Sequence, residues 1–214
     1  ALMYAAAYGQ DGAAATLLAA GASASVSTSR LAGIPGKSAV SLAVAAREYA
    51  LTRRLLAAGA KTYDPQLDAL PPLFIAAAQN DEPMMTLLFE AGARPAVKDA
   101  SGNTTLHYVI NRSSPATIQL LLSRGVDPAV VNASGDTALQ QVAAFGNTDN
   151  MVLLYDRAGA AAQQQAFFAA VESGVAASVM ALLDKGVEVS ISNPRGQTAL
   201  MVASLHRHEK VVAL

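Results

Sequence analysis

Few residues of this 214-residue chain have the types and spacing to do chemistry: His107, His206 and His208, one Gly36-Lys37-Ser38 run, and 16 Asp plus Glu against 15 Lys plus Arg, with no Cys. Catalysis needs titratable groups that converge on one place. Without Cys there is no thiolate zinc site, disulfide framework or cysteine nucleophile. His206 and His208 are two apart, so on a helix they do not share a face; this argues against a metal pair and for a solvated helix end. Gly36-Lys37-Ser38 has the ending of a phosphate-binding loop, but Leu31 stands where that motif requires its first Gly, and no buried strand precedes it. Three Asn-x-(Ser or Thr) triplets, at Asn103, Asn111 and Asn132, are too short to carry weight. The expectation is no catalytic residue, no cofactor and no metal.

Charge and composition narrow the classes further. A net charge of -1 offers no uniform field for a phosphate backbone, and no apolar stretch approaches the length of a membrane span. Neither nucleic-acid binding nor membrane insertion is expected. The hydrophobic share is 52%, made mostly of Ala and Leu, with six Tyr, five Phe and no Trp. Small helix-favouring side chains of this kind speak for helices and against an aromatic-rich β-sandwich. Locally the charge is blocked: residues 30 to 61 stand at +5 and residues 62 to 90 at -5. Two readings stay open, adjacent solvated faces that offset one another or a bipolar docking surface.

The elements that position these residues follow from a period. A Leu-Leu pair leads to a Gly at Gly21, Gly59, Gly92, Gly125, Gly159 and Gly186. Counting back 19 residues, or 20 at Gly159, reaches the anchors Leu2, Val40, Leu73, Leu106, Leu139 and Phe167, with Leu200 opening a seventh unit. The steps are 38, 33, 33, 33, 28 and 33 residues. Within a unit, Leu106, Val109, Ile110, Ile118, Leu121 and Leu122 lay one apolar stripe on each of two helices, broken at Ser113-Ser114-Pro115. Small residues three and four places past the anchors, such as Ala5 and Ala6 or Ala76 and Ala77, permit close approach of neighbouring helices. The recurring Gly suits the left-handed end of the second helix.

Three connecting segments share the pattern (Asp or Asn)-x-x-Gly-x-Thr-x-Leu: Asp99 to Leu106, Asn132 to Leu139 and Asn193 to Leu200. With the period of 33, this resembles the ankyrin repeat, a turn plus two helices carrying a Thr-Pro-Leu-His element. Thr104, Leu106 and His107 keep that element with Thr105 in the Pro slot, and Pro72-Leu73 keeps the Pro. The resemblance covers essentially the whole chain. It implies an all-α repeat fold of helical hairpins joined by short β-hairpin or turn fingers, with units at about 1–25, 33–65, 66–98, 99–131, 132–160, 161–192 and 193–214 and both ends cut from something longer. It also places His107 in a structural slot between turns. Two departures stand out: a longer finger spanning Ser23 to Pro35, and a missing finger before Phe167, where Ala160 to Gln165 should form a tight helical link.

Such a repeat implies a binding surface made of finger tips and the exposed side of the first helices. Carried to this sequence, it selects Tyr8, Gln79, Asn111, Arg112 and Phe145 on first helices, Lys37 and Asp136 on fingers, and Arg30 and Ile34 on the long finger. Tyr8 and Phe145 have a second reading, as aromatics packed on neighbouring units. The function implied is a non-catalytic module, monomeric when unbound, that binds one protein partner. Its narrower forms are an inhibitor or immunity protein, and alternatively the targeting or substrate-recruiting arm of a larger enzyme or effector. The alanine-rich, cysteine-free composition suggests a bacterial source, with a cytoplasmic or periplasmic location.

Overall fold

Each anchor that the period picks out stands in a helix whose apolar side is buried. The structure, a computed structural model, describes residues 1–25, 37–65 and 68–214. It divides into two compact units, Ala1–Ala100 and Ser101–Leu214. The first holds α1 (Leu2–Ala7), α2 (Asp11–Ala19), α3 (Ala39–Ala45), α4 (Tyr49–Ala57), α5 (Pro72–Ala78) and α6 (Glu82–Glu90). Consecutive helices pair as hairpins, α1 lies beside α3, α3 beside α5, and α2 beside α4. The close approach comes from side-chain size: Ala6, Ala43, Val44, Ala76 and Ala77 are fully buried, and the larger Leu51, Leu55, Phe74, Met84 and Met85 fill the space between layers.

The second unit holds α7 (Thr105–Val109), α8 (Pro115–Ser123), α9 (Ala138–Phe145), α10 (Thr148–Tyr155), α11 (Ala160–Glu172), α12 (Ala176–Asp184), α13 (Ala199–Leu205) and α14 (Glu209–Val212). Here too the odd-numbered helices form one layer (α7, α9, α11, α13) and the even-numbered ones the other (α8, α10, α12, α14). Outside helices, isolated antiparallel bridges join Val131 with Thr137 and Ser192 with Thr198. Those bridges close the fingers.

Local chemistry sets the helix ends. Ser38, Ser114, Thr137 and Thr198 accept the N–H three residues on, and Pro72, Pro83 and Pro115 occupy first-turn positions where no N–H donor is needed. Ser38 thus caps a helix, as the repeat slot requires, and its own N–H donates to Asp68 Oδ1 at 2.7 Å. Gly59 and Gly92 end their helices with φ near +90°, as expected. Gly159 does not: its φ is -70° and it stands as N-cap of α11, so the absent finger is replaced by a 13-residue helix that starts immediately. The expected helical link is present, with the Gly in a different role.

A second left-handed position recurs seven residues past the anchors, inside every hairpin except that of α7 and α8. Gly9, Gly146 and Gly174 occupy it, but so do Arg47 (φ 59°), Asn80 (φ 51°) and Arg207 (φ 59°). A side chain with a Cβ is strained there by about 1–2 kcal/mol. Arg207→Gly, at an exposed residue, is therefore expected to raise stability by about 0.5–1 kcal/mol once the extra freedom of the unfolded glycine is subtracted, read from the urea midpoint.

His206 and His208 also depart from the sequence expectation. They flank Arg207 as the C-cap of α13 and the N-cap of α14 rather than sharing one helix, and their rings stack with centroids 5.8 Å apart. His208 Nε2 donates to the Glu172 carbonyl at 2.9 Å, and its ring lies so near Gly174 that a Cβ there would sit 2.5 Å from Nδ1. The ring is a tie between two hairpins.

Candidate partner-binding face

The side chains that the helices leave in water occupy repeated register positions. In the first unit, Tyr8 ends α1 and is 67% exposed, with its ring 4.4 Å from that of Tyr4 one turn earlier. Ala45, Ala46 and Ala78 stand exposed at the equivalent ends of α3 and α5. Gln79 is committed to the fold: its side-chain Nε2 donates to the Ala45 carbonyl at 2.9 Å, while its main-chain carbonyl accepts from Arg47 Nη2 at 2.8 Å. Lys37 is exposed beside the Ser38 cap. Arg30 and Ile34 lie outside the described residues.

In the second unit, Phe145 ends α9 and is 74% exposed; Arg112 follows α7 and is exposed as well. The reading of Tyr8 and Phe145 as packed aromatics fails on these exposures. Asn111 is half-buried, with Oδ1 buried and unpartnered. Asp136 is half-buried in its finger, and its carbonyl accepts from both Asn132 N–H and His107 Nε2, each at 3.0 Å. His107 Nδ1 accepts from Thr104 N–H at 3.3 Å, which leaves Nε2 as the protonated nitrogen. This is the structural slot expected for His107, tying one finger to the next.

Finger shape rests on asparagine. Asn132 Oδ1 accepts from Ser134 and Asp136 N–H, and Asn193 Oδ1 accepts from Arg195 and Gln197 N–H, so each side chain folds its own turn around a left-handed Gly135 or Gly196. The exposed side chains of such a finger are carried on a braced loop.

Sequence reasoning missed Tyr4 and Tyr108, both exposed, each four residues before a selected residue (Tyr8 and Arg112). The signal was present: they recur two places past an anchor, on the same side as the residues six places past it. The charge blocks resolve towards offsetting faces. Arg54 grips Asp11 through two bonds of 3.0 Å, which holds the Asp11 carboxyl below its usual range; Lys61 binds Asp64 at 2.8 Å and Arg47 stands 3.9 Å from Asp81. Taken unit by unit, the exposed positions offer aromatic side chains in the first and an aromatic ring, a guanidinium and braced loop polar groups in the second, residue types that interfaces use. Among the described residues, no group of three or more His, Asp or Glu converges as a metal site would require, and no helix is long and apolar enough to cross a membrane.

Comparison with known proteins bears on the fold. No curated protein matches the chain. Among solved structures, the crystal structure of the human ASB11 ankyrin repeat domain is similar, with a TM-score of 0.73 and 22% identity over 97% of this chain and 95% of that one. Residues 73–165 match the family model for ankyrin repeats in three copies. The chain carries ankyrin repeats over that stretch and folds as an ankyrin-repeat domain does.

Proposed function

We propose that this protein is a non-catalytic interaction module that holds one protein partner against the exposed ends of its first helices and its fingers. The observation that carries the reading is the exposure of Tyr8 and Phe145, each at the end of a helix whose other side is buried. Aromatic side chains left in water cost solubility, and they are the residue types, with Arg, that become energetic centres of interfaces. Rigid hairpins and self-braced fingers hold these groups in place before binding, which reduces the ordering cost.

The test compares capture by the wild-type chain and by a Tyr8→Ala, Arg112→Glu, Phe145→Ala variant, followed by titration of the captured protein. Since a truncated interface anchor costs about 2 kcal/mol or more, the triple variant should bind at least about a hundredfold more weakly at unchanged thermal stability. Undiminished binding would remove this face from the account. The same titration separates the narrower roles. An inhibitor or immunity protein silences its partner's activity at one-to-one stoichiometry, whereas a recruiting arm leaves that activity intact.

A further inference from the structure

Away from the first-helix ends, the first unit contains a cleft of about 750 Å³ between the segment that follows α4 and the segment that follows α6. Its apolar walls include Pro71, Leu73 and Val97; its polar lining includes Lys61, Tyr63, Arg94 and Lys98. The volume lies within the range of ligand-holding clefts. Every titratable side chain lining it is a donor at neutral pH. Burial, with smaller contributions from Asp68, Asp99 and Asp64, pushes the Tyr63 hydroxyl above its usual value, so it stays protonated.

The cations differ in how far they are committed. Lys61 is held by Asp64, but Arg94 and Lys98 are exposed and enter no ion pair among the described residues. The carboxylates nearby do not line the cleft. Asp64 is taken by Lys61, and Asp68 is buried, accepting from Ser38 N–H and Ser41 Oγ. An unmatched guanidinium and ammonium above an apolar floor select a ligand that carries carboxylates next to an apolar side chain. Arg94 offers a planar fork that a carboxylate can bridge with two bonds, Lys98 offers a point charge, and Leu73 and Val97 offer cover for the apolar group.

We propose that this cleft is a binding site for an acidic peptide segment bearing an apolar residue beside its carboxylates. The site shares no residue with the first-helix face. It deepens the partner-binding reading by giving a charge class to one segment of the partner, and it can fail without the face failing.

The experiment titrates the full chain with a fluorescein-labelled Glu-Asp-Leu-Phe-Glu-Asp peptide, with its amide counterpart Gln-Asn-Leu-Phe-Gln-Asn, and with inorganic phosphate and oligothymidylate as competitors. Fluorescence polarisation gives affinity, and backbone amide shifts give the place. The acidic peptide should bind, shift amides at 60–63 and 93–98, lose affinity about tenfold or more in an Arg94→Ala, Lys98→Ala variant, and weaken with added salt. The Tyr8, Arg112, Phe145 variant should bind the peptide like wild type, which separates this site from the face. Thermal melting of both variants, expected to match wild type, confirms that each is folded. Absence of acidic-peptide binding, equal binding of the amide peptide, equal affinity of the Arg94, Lys98 variant, or displacement by phosphate or oligothymidylate at the peptide's own concentration would each overturn the proposal.

Discussion

Asn150→Ala is expected to lower the unfolding free energy by about 2–4 kcal/mol, since it removes two buried hydrogen bonds that one amide donates to backbone carbonyls. In the second unit the hairpin of α7 and α8 lacks the left-handed residue that turns the others; Ser113 stands at that position without a positive φ, and α7 is only five residues long. Ile110 and Ser113 are both buried at this turn. Asn150, itself fully buried on α10, reaches their carbonyls with one amide, Nδ2 donating at 2.7 and 2.9 Å. Alanine removes both bonds and leaves no room for bulk water to replace them. Asn150→Asp should be at least as damaging, because a carboxylate would face two acceptors. Urea unfolding followed by circular dichroism checks both; a loss below about 0.5 kcal/mol for Asn150→Ala, the range of ordinary surface changes, would mean that the turn is held by other contacts.

Leu121→Ala is expected to cost about 2–5 kcal/mol, whereas Gln164→Ala should stay within about 0.5 kcal/mol of wild type. Leu121 is fully buried on α8, so truncation removes transfer free energy and leaves a cavity between close-packed helices. Gln164 lies on α11, in the helix that replaces a finger, and its Nε2 donates to the Ser192 carbonyl at 2.8 Å. That bond is exposed, and water can take over either partner when it is removed. Equal losses at the two positions would contradict the assignment of inward and outward faces.

The fold was legible in the sequence because its period repeats the same local problem. Small residues past most anchors, the turn pattern before three of them and a Gly after six of the second helices all name one solution, and Ala76, Thr137 and Gly92 do what their slots imply. What stayed hidden lay between units of the pattern. Asn150 reads as an ordinary polar residue on a second helix until the carbonyls 37 and 40 residues earlier are seen to need it. Arg47 and Arg207 in left-handed turns carry no residue-type signal, since glycine is the type that marks such turns. The stacking of His206 on His208 depends on a helix break at Arg207 that a continuous helical reading passes over.

The candidate site was legible in part. Tyr8, Arg112 and Phe145 are exposed where the repeat register puts them, because register alone decides which side of a helix faces water. Gln79 and the backbone of Asp136 are engaged inside the fold, through partners 34 and 29 residues away that no local pattern shows. Charge was the least readable property. The +5 and -5 blocks partly cancel through Arg47 with Asp81 and Lys61 with Asp64, Arg54 turns instead to Asp11 outside both blocks, and Arg94 and Lys98, the exposed cations that line the cleft, also stand outside them.

Hydrogen–deuterium exchange of the chain, free and bound to the protein it captures, tests the central claim most directly. The account predicts slowed exchange at the ends of the first helices, around Tyr8, Arg112 and Phe145, and at the fingers around Lys37 and Asp136. Protection confined to the second helices, Pro115–Ser123 and Thr148–Tyr155, with the first-helix ends unchanged, would contradict it.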